Sequence, residues 1–371
     1  MKVLFIATLD IHIRSFHIPA MRWLREHGVV VDVAAFGDLE IEHCDERFHI
    51  DFQRSPFGIR NISAYRQLRQ VLSENEYSLI HCHTPVGGLI GRFAARSARR
   101  RGAVIVYTAH GFHFCRGGPF VNWLYYYPVE RWFAGYTDCL VTITREDYRL
   151  AVGHHFSAKH IEHIPGVGVD TEVFRPMSQG VRDARRAQLG YANDEFLLIY
   201  AAEFNTNKNQ EMLIKALAAT NESRFRLLLA GDGPTQSSCQ RVAVQFQVEE
   251  QVEFLGYRKD LEDLLPICDC ALASSRREGL PVNVMEAMSC GLPVVAAINR
   301  GHTELVIEGE TGFLIQSDDH MAMSFLLHRL ASDRELRARL GAAGRKRIQQ
   351  CYSRKIATEA IAEIYQRLLG F

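Results

Sequence analysis

The segment Ser274-Ser275-Arg276-Arg277-Glu278-Gly279-Leu280-Pro281-Val282-Asn283-Val284-Met285-Glu286-Ala287 carries two carboxylates eight residues apart, flanking a Gly-Leu-Pro step. The apolar run 270–273 just before it reads as a buried strand. Pro281 suits the first turn of a helix, where a missing N–H costs nothing. Glu278 then belongs to the loop leaving the strand, and Glu286 sits about a turn further along the helix. Free amides at a helix start, with the positive end of its dipole, suit an anion or sugar hydroxyls. A loop carboxylate can accept hydrogen bonds from sugar hydroxyls, and a second one can clasp a ribose diol. A solvated helix start would also use Glu, so this segment alone leaves both readings open.

Other groups of reactive side chains read more weakly. His81, Cys82 and His83, or His110, His113 and Cys115, offer zinc-type ligand atoms. Alternate residues of a strand face opposite ways, so His81 and Cys82 cannot line one site, and no metal centre is expected. Gly231-Asp232-Gly233 starts like a dinucleotide fingerprint, but Gln236 stands at the third glycine position, so no nicotinamide cofactor is expected. Arg92, Arg96 and Arg99 recur at helical spacing, followed by Arg100 and Arg101. They form either a solvated face or a patch for an anionic membrane leaflet, where each basic residue contributes about 1 kcal/mol. Residues 120–136 hold eight Phe, Trp or Tyr, which makes them either plain core or a wall for a lipid-linked acceptor.

Elements that alternate along the chain must position these groups. Strand-like runs at 3–9, 29–35, 79–82, 104–108 and 140–144 alternate with helical patterns such as 62–72 and 86–99. The alternation pauses over 166–195, which reads as a linker. It resumes with strands at 197–201, 226–230, 252–255, 270–273, 293–296 and 313–315, and helices at 212–219, 261–268, 282–289 and 335–348. Buried strands separated by helices predict parallel sheets covered on both faces. The expected organisation is an N-terminal domain over 1–175, a C-terminal domain over 176–354, and an amphipathic helix at 355–371 that packs back on the first domain. In such folds ligands bind at the carboxyl ends of the strands, so a cleft between the two domains is expected. With 371 residues and 47% hydrophobic composition, the chain can bury two cores. Its 43 basic and 43 acidic residues balance, which argues against a nucleic-acid partner. No run approaches the ~18 apolar residues of a membrane span. Nine cysteines without CxxC spacing fit a cytoplasmic setting. Thirteen of the sixteen histidines precede residue 164, so the halves differ in side-chain chemistry rather than in net charge.

The paired glutamates resemble the E-x7-E motif of retaining GT-B glycosyltransferases of family four, and the resemblance spans nearly the whole chain. Gly168-Val169-Asp170 with Phe174-Arg175-Pro176 is similar to that family's interdomain signature, Ala230-Gly231-Asp232-Gly233-Pro234 to its glycine turn, and Phe254-Leu255-Gly256-Tyr257 to its base-side strand. Three further segments resemble EpsD-type exopolysaccharide and capsule glycosyltransferases. They are His81-Cys82-His83-Thr84-Pro85-Val86-Gly87-Gly88, Tyr107-Thr108-Ala109-His110-Gly111-Phe112-His113-Phe114 and Asn122-Trp123-Leu124-Tyr125-Tyr126-Tyr127-Pro128-Val129-Glu130.

The resemblance implies an α/β GT-B fold, with two Rossmann-like doubly wound domains facing a central cleft. It implies a retaining, metal-independent transferase in which a nucleotide-sugar is a substrate and no cofactor is used. His110, Glu278 and Lys208 take the catalytic roles, with His110 facing the donor sugar. Glu286, Gly279, Leu280, Pro281, Arg277, Arg258, Tyr257 and Asn205 fall on the donor side, and His12 and His83 on the acceptor side. The sequence departs from the family at two places. Glu203 stands where an arginine normally holds the donor diphosphate, and Asp10-Ile11-His12-Ile13-Arg14-Ser15-Phe16-His17 replaces an N-terminal Gly-Gly loop. The expected donor is UDP-linked, with an N-acetylhexosamine as the sugar the subgroup suggests, and the expected acceptor is a lipid-linked glycan. Peripheral contact with the inner face of an anionic plasma membrane follows. The alternatives are a nucleotide-sugar epimerase of the same fold and a non-catalytic nucleotide-sugar-binding assembly subunit.

Overall fold

The computed structural model describes residues 1–115 and 118–370; Phe371, the end of the expected C-terminal helix, lies outside them. The chain divides into two compact units, Met1–Val167 with Arg354–Phe371, and Gly168–Ser353.

The first unit is built on seven parallel strands: β1 (Lys2–Leu9), β2 (Val30–Phe36), β3 (Glu46–His49), β4 (Leu79–His83), β5 (Val104–Ala109), β6 (Cys139–Thr142) and β7 (His160–His163). Their order is β3-β2-β1-β4-β5-β6-β7, so the winding reverses between β1 and β4. In β1, Val3 to Ala7 are all fully buried, which only a sheet covered on both faces allows. Leu4, Ile6, Ile80, Cys82, Ile105 and Tyr107 share one core cluster. The edge strands β3 (ERFH) and β7 (HIEH) are not legible in the sequence, because short half-exposed edges carry polar residues instead of an apolar run. The helix Arg354–Leu369 buries Ala357, Ile361, Ile364 and Tyr365 in this unit. Its Tyr365 hydroxyl lies 2.6 Å from His81 Nδ1.

The arginine stripe is corrected by the structure. Arg92 is 1% exposed, stacks 3.8 Å over the Tyr107 ring and binds Glu130 at 2.9 Å. Arg99 binds Asp138 at 2.9 Å, and Arg96 lies 3.7 Å above the Phe93 ring. Arg92 is thus an internal anchor rather than part of a surface stripe, and Arg96 and Arg99 are partly covered, while Arg100 and Arg101 are exposed. The helix Phe120–Ala134 instead exposes Phe120, Val121, Leu124, Tyr125 and Trp132.

The second unit has six parallel strands: β8 (Phe196–Ala201), β9 (Phe225–Ala230), β10 (Val252–Gly256), β11 (Cys270–Ala273), β12 (Val294–Ala297) and β13 (Gly312–Ile315). Their order, β10-β9-β8-β11-β12-β13, reverses between β8 and β11. The stretch expected as a plain linker contains the helix Gln179–Gln188, which is anchored by charge rather than by an apolar face. Arg182 and Arg186 each bind Asp269 at 2.7 Å, and Arg186 is 2% exposed. Its apolar positions Val181, Ala184 and Ala187 are exposed while Arg186 is buried, the reverse of what hydrophobic periodicity would suggest. Among the described residues, no helix is long and apolar enough to cross a membrane.

Candidate functional site

In the second unit, the loops leaving β8 and β11 meet where the winding reverses, the place at which open α/β sheets bind ligands. Asn205 shapes the first loop: its Oδ1 accepts from the N–H groups of Asn207 (3.1 Å) and Lys208 (3.0 Å). The second loop is tied to it. Ser274 Oγ donates to the Lys208 carbonyl at 2.7 Å, Arg276 N–H to the Asn207 carbonyl at 2.8 Å, and Asn207 Nδ2 to the Arg277 carbonyl at 2.9 Å. This lacing places Lys208 Nζ 2.5 Å from Glu278 Oε1, with 20% and 14% of the two side chains exposed. A charged pair is therefore presented on a rigid, half-open ledge.

The rest of the segment is packed around that pair. Gly279 and Gly301 approach so closely that a Cβ on Gly301 would stand 2.3 Å from the Gly279 carbonyl oxygen. Arg300 Nε donates to the Glu278 carbonyl at 2.9 Å. Leu280 and Pro281 are buried, and Pro281 occupies the N-cap of the helix Val282–Ser289 rather than its first turn. Glu286 lies half-buried in that helix. His302 is 1% exposed, with Nδ1 2.6 Å from the Ala297 carbonyl. Burial holds its pKa below 6.5 although that carbonyl and Glu278 pull the other way. Tyr200, hydrogen-bonded to Ser275 Oγ at 2.6 Å, has its phenol pushed up by burial and then by Glu278.

The remaining donor-side residues fall in different surroundings. Arg258 is engaged by Asp260 at 2.6 Å, and Tyr257 is 72% exposed; both follow β10 at the sheet edge, two strands from β8. Arg277 is exposed beside the ledge. Glu203 is exposed and accepts from Asn205 Nδ2 at 3.2 Å, so the departure from the expected arginine puts a carboxylate beside the lysine loop. The glycine turn after β9 presses against this loop: Gly233 has φ +153°, and a Cβ there would sit 2.3 Å from the Phe204 carbonyl.

In the first unit, His12, His83 and His110 come together at the carboxyl ends of β1, β4 and β5. His110 Nε2 lies 3.2 Å from His12 Nε2 and 3.3 Å from His83 Nδ1. His17 joins them, its ring centroid 3.8 Å from that of His83. His17 and His83 are buried and the other two partly exposed. Burial lowers the pKa of all four, to about 4 for His12, and neighbouring imidazoles add to the effect at His17, His83 and His110. The cluster is therefore neutral at pH 7. His81, on the same face of β4 as His83, is excluded from it because both ring nitrogens are occupied, by Tyr365 and by Thr108 Oγ1 at 2.7 Å. Sequence reasoning missed His17, whose only signal is a second histidine five residues after His12. It also missed Asn207, Ser274 and Arg300, common polar residues that gain meaning only through their contacts.

Residues 20–166 match the glycosyl transferase 4-like domain and residues 181–347 the glycosyl transferases group 1 domain. EpsD of Bacillus subtilis (strain 168) is 44% identical over 366 residues, covering 98% of this chain and 96% of that protein. The Escherichia coli UDP-Gal:alpha-D-GlcNAc-diphosphoundecaprenol alpha-1,3-galactosyltransferase is 27% identical over 294 residues, or 76% of this chain and 75% of that protein. Among solved structures, Anabaena HepE in complex with UDP and glucose superposes with a TM-score of 0.82 at 22% identity, over 99% of this chain and 100% of that one. The glycosyltransferase WaaG superposes with a TM-score of 0.75 at 16% identity, over 98% and 99%. Two Rossmann-like parallel sheets, both domain matches and the extent of the likeness to EpsD make this chain a glycosyltransferase of GT-B fold, a member of the family to which EpsD belongs.

Proposed function

We propose that the chain transfers a sugar, with retention at the anomeric carbon, from a UDP-linked donor to a lipid-linked glycan during exopolysaccharide or capsule assembly. The observation that carries this reading is the Lys208–Glu278 pair, laced onto adjacent loops at the reversal point of the second sheet. Departure of a nucleoside diphosphate concentrates negative charge on its β-phosphate oxygens. Lys208 and the free amides at the start of Val282–Ser289 are suited to stabilise that charge without a metal ion at the diphosphate. Glu278 would accept from donor-sugar hydroxyls and Glu286 from the ribose, while Arg277 supplies an exposed second cation. His110 would meet the donor sugar and His12 would lie toward the acceptor, whereas His83, expected on the acceptor side, is fully buried behind His110.

The Escherichia coli galactosyltransferase relative and the UDP and glucose complex of HepE support a UDP-sugar and a polyprenyl-diphosphate acceptor as the first chemistry to test. The exposed apolar face of the helix Phe120–Ala134 supports contact with such an acceptor at the inner membrane surface. Glu203, bound by Asn205 in the loop that carries Lys208, favours, as a second reading, a nucleotide-sugar-binding subunit without turnover, because a carboxylate weakens the local positive field. Purified protein incubated with a panel of UDP-sugars and a polyprenyl-diphosphate glycan separates these readings. One donor is expected to yield an extended lipid and stoichiometric UDP. Donor binding without product would support the subunit, and rapid interconversion of two donors would establish an epimerase.

A further inference from the structure

We propose that His12, His17, His83 and His110 form a binding site for one divalent transition-metal ion of the zinc class. The four ligand atoms lie within 4.8 Å of one another and come from three separate segments at the ends of β1, β4 and β5. Imidazole-only sets suit zinc and its first-row neighbours rather than magnesium or calcium.

Proton chemistry alone leaves this cluster unsatisfied. A neutral imidazole has one N–H and one in-plane lone pair. His110 Nε2 faces two other ring nitrogens, at 3.2 and 3.3 Å, and can make one good hydrogen bond through that atom. The second approach is then at best a weak, shared three-centre contact. A shared cation accepts all the lone pairs together. Nitrogens about 2.0–2.1 Å from a tetrahedral zinc stand about 3.3 Å from one another, which is close to the separation of His110 from His12 and from His83.

An independent observation points the same way. His17 Nε2 is a buried ring nitrogen of the cluster with no hydrogen-bond partner. His17 is 7% exposed, so water does not readily supply the missing bond. The depressed pKa values described above keep the rings in the neutral form that a metal requires. Partial exposure of His12 and His110 leaves an entry side.

The ion would fasten the helices Asp10–Phe16 and Ile18–Glu26, which occupy the place of the family's Gly-Gly loop, to the ends of β4 and β5. Ligation of His110 through Nε2 also puts its remaining proton on Nδ1, the tautomer able to donate to a sugar hydroxyl. The inference does not rest on the transfer reading, since Lys208 and Glu278 belong to the other unit.

The test uses full-length protein without a histidine tag, stripped with a chelator and titrated with Co2+, then with Zn2+ in competition. One equivalent of Co2+ is expected to give the intense visible absorption of a four-coordinate nitrogen site, and Zn2+ to abolish it. Changing an outer partner of a ligand costs about 10–100-fold in metal affinity. Loss of a ligand itself, in His12→Ala or His83→Gln, is expected to weaken Zn2+ binding by about 100-fold or more, while His160→Ala on exposed β7 leaves it unchanged. His12 is partly exposed, so its variant is expected to fold even where the buried His83 variant does not. The proposal is overturned if wild-type protein gives no cobalt band, or if folded His12→Ala binds Zn2+ as tightly as wild type.

Discussion

Replacing Lys208 with Met removes one positive charge from the ledge while keeping the length and the apolar stem of the side chain. Two unit charges 4 Å apart interact by about 4 kcal/mol at an effective dielectric of about 20. Lys208 is 20% exposed, so part of that is screened. A loss of about 3 kcal/mol of transition-state stabilisation is expected, or roughly 100-fold in rate. Removal of one preorganised donor from such a site typically costs about 10²–10³. The effect on folding is smaller and separable. Glu278 loses a charge-assisted contact worth about 1.5–3 kcal/mol in a buried setting, and less here because both groups keep water. UDP release is measured under saturating donor and acceptor, and thermal unfolding is followed on the same samples. The fall is expected in kcat, with KM little changed, because the β-phosphate charge grows only as the bond breaks. Lys208→Arg is expected to retain more activity than Lys208→Met. A folded Lys208→Met enzyme with kcat within tenfold of wild type, or a loss wholly in KM, would refute the reasoning.

Arg92→Leu leaves Glu130 and the Tyr107 hydroxyl, 3.2 Å apart, without their cation in the core of the first unit. Breaking a buried pair costs about 3–5 kcal/mol, so denaturant unfolding should show a loss of that size, and Arg92→Leu/Glu130→Leu should recover part of it; equal stability of single variant and wild type would contradict the buried-pair account. His302 is held below 6.5 by burial, so its stabilising contribution is complete above that pH and is lost as pH falls through 6.5 toward the folded value. Unfolding of the second unit should become easier over that window, and His302→Asn should flatten the dependence; an unchanged slope in the variant would assign it to other groups.

Much of the architecture follows from local pattern. Continuous apolar runs in β1, β8 and β11 announce strands buried on both faces, and the Glu278-Gly279-Leu280-Pro281 step announces a strand-to-helix turn with carboxylates on it. These properties are carried by neighbours in the chain, so periodicity and turn chemistry reveal them. The polar edges β3 and β7 and the charge-anchored helix Gln179–Gln188 escape that reading, since their stability lies in pairing and in Asp269 rather than in an apolar pattern.

Helical spacing correctly puts Arg92, Arg96 and Arg99 on one face, but spacing carries no information about what that face meets. Glu130, Asp138 and the Tyr107 ring come from other elements, and they make Arg92 an internal anchor and tie down Arg99. The histidine quartet is the sharper case. Residues 12 and 17, 83 and 110 become neighbours only because the winding sets β4 beside β1 and β5 beside β4. Residue types and local spacing, which the one-dimensional code determines directly, name the family and single out the lysine and acids of the ledge. Contacts between distant segments depend on which strand lies beside which, and that is decided by the whole core packing at once, so the tertiary structure alone assigned the arginines and assembled the imidazoles.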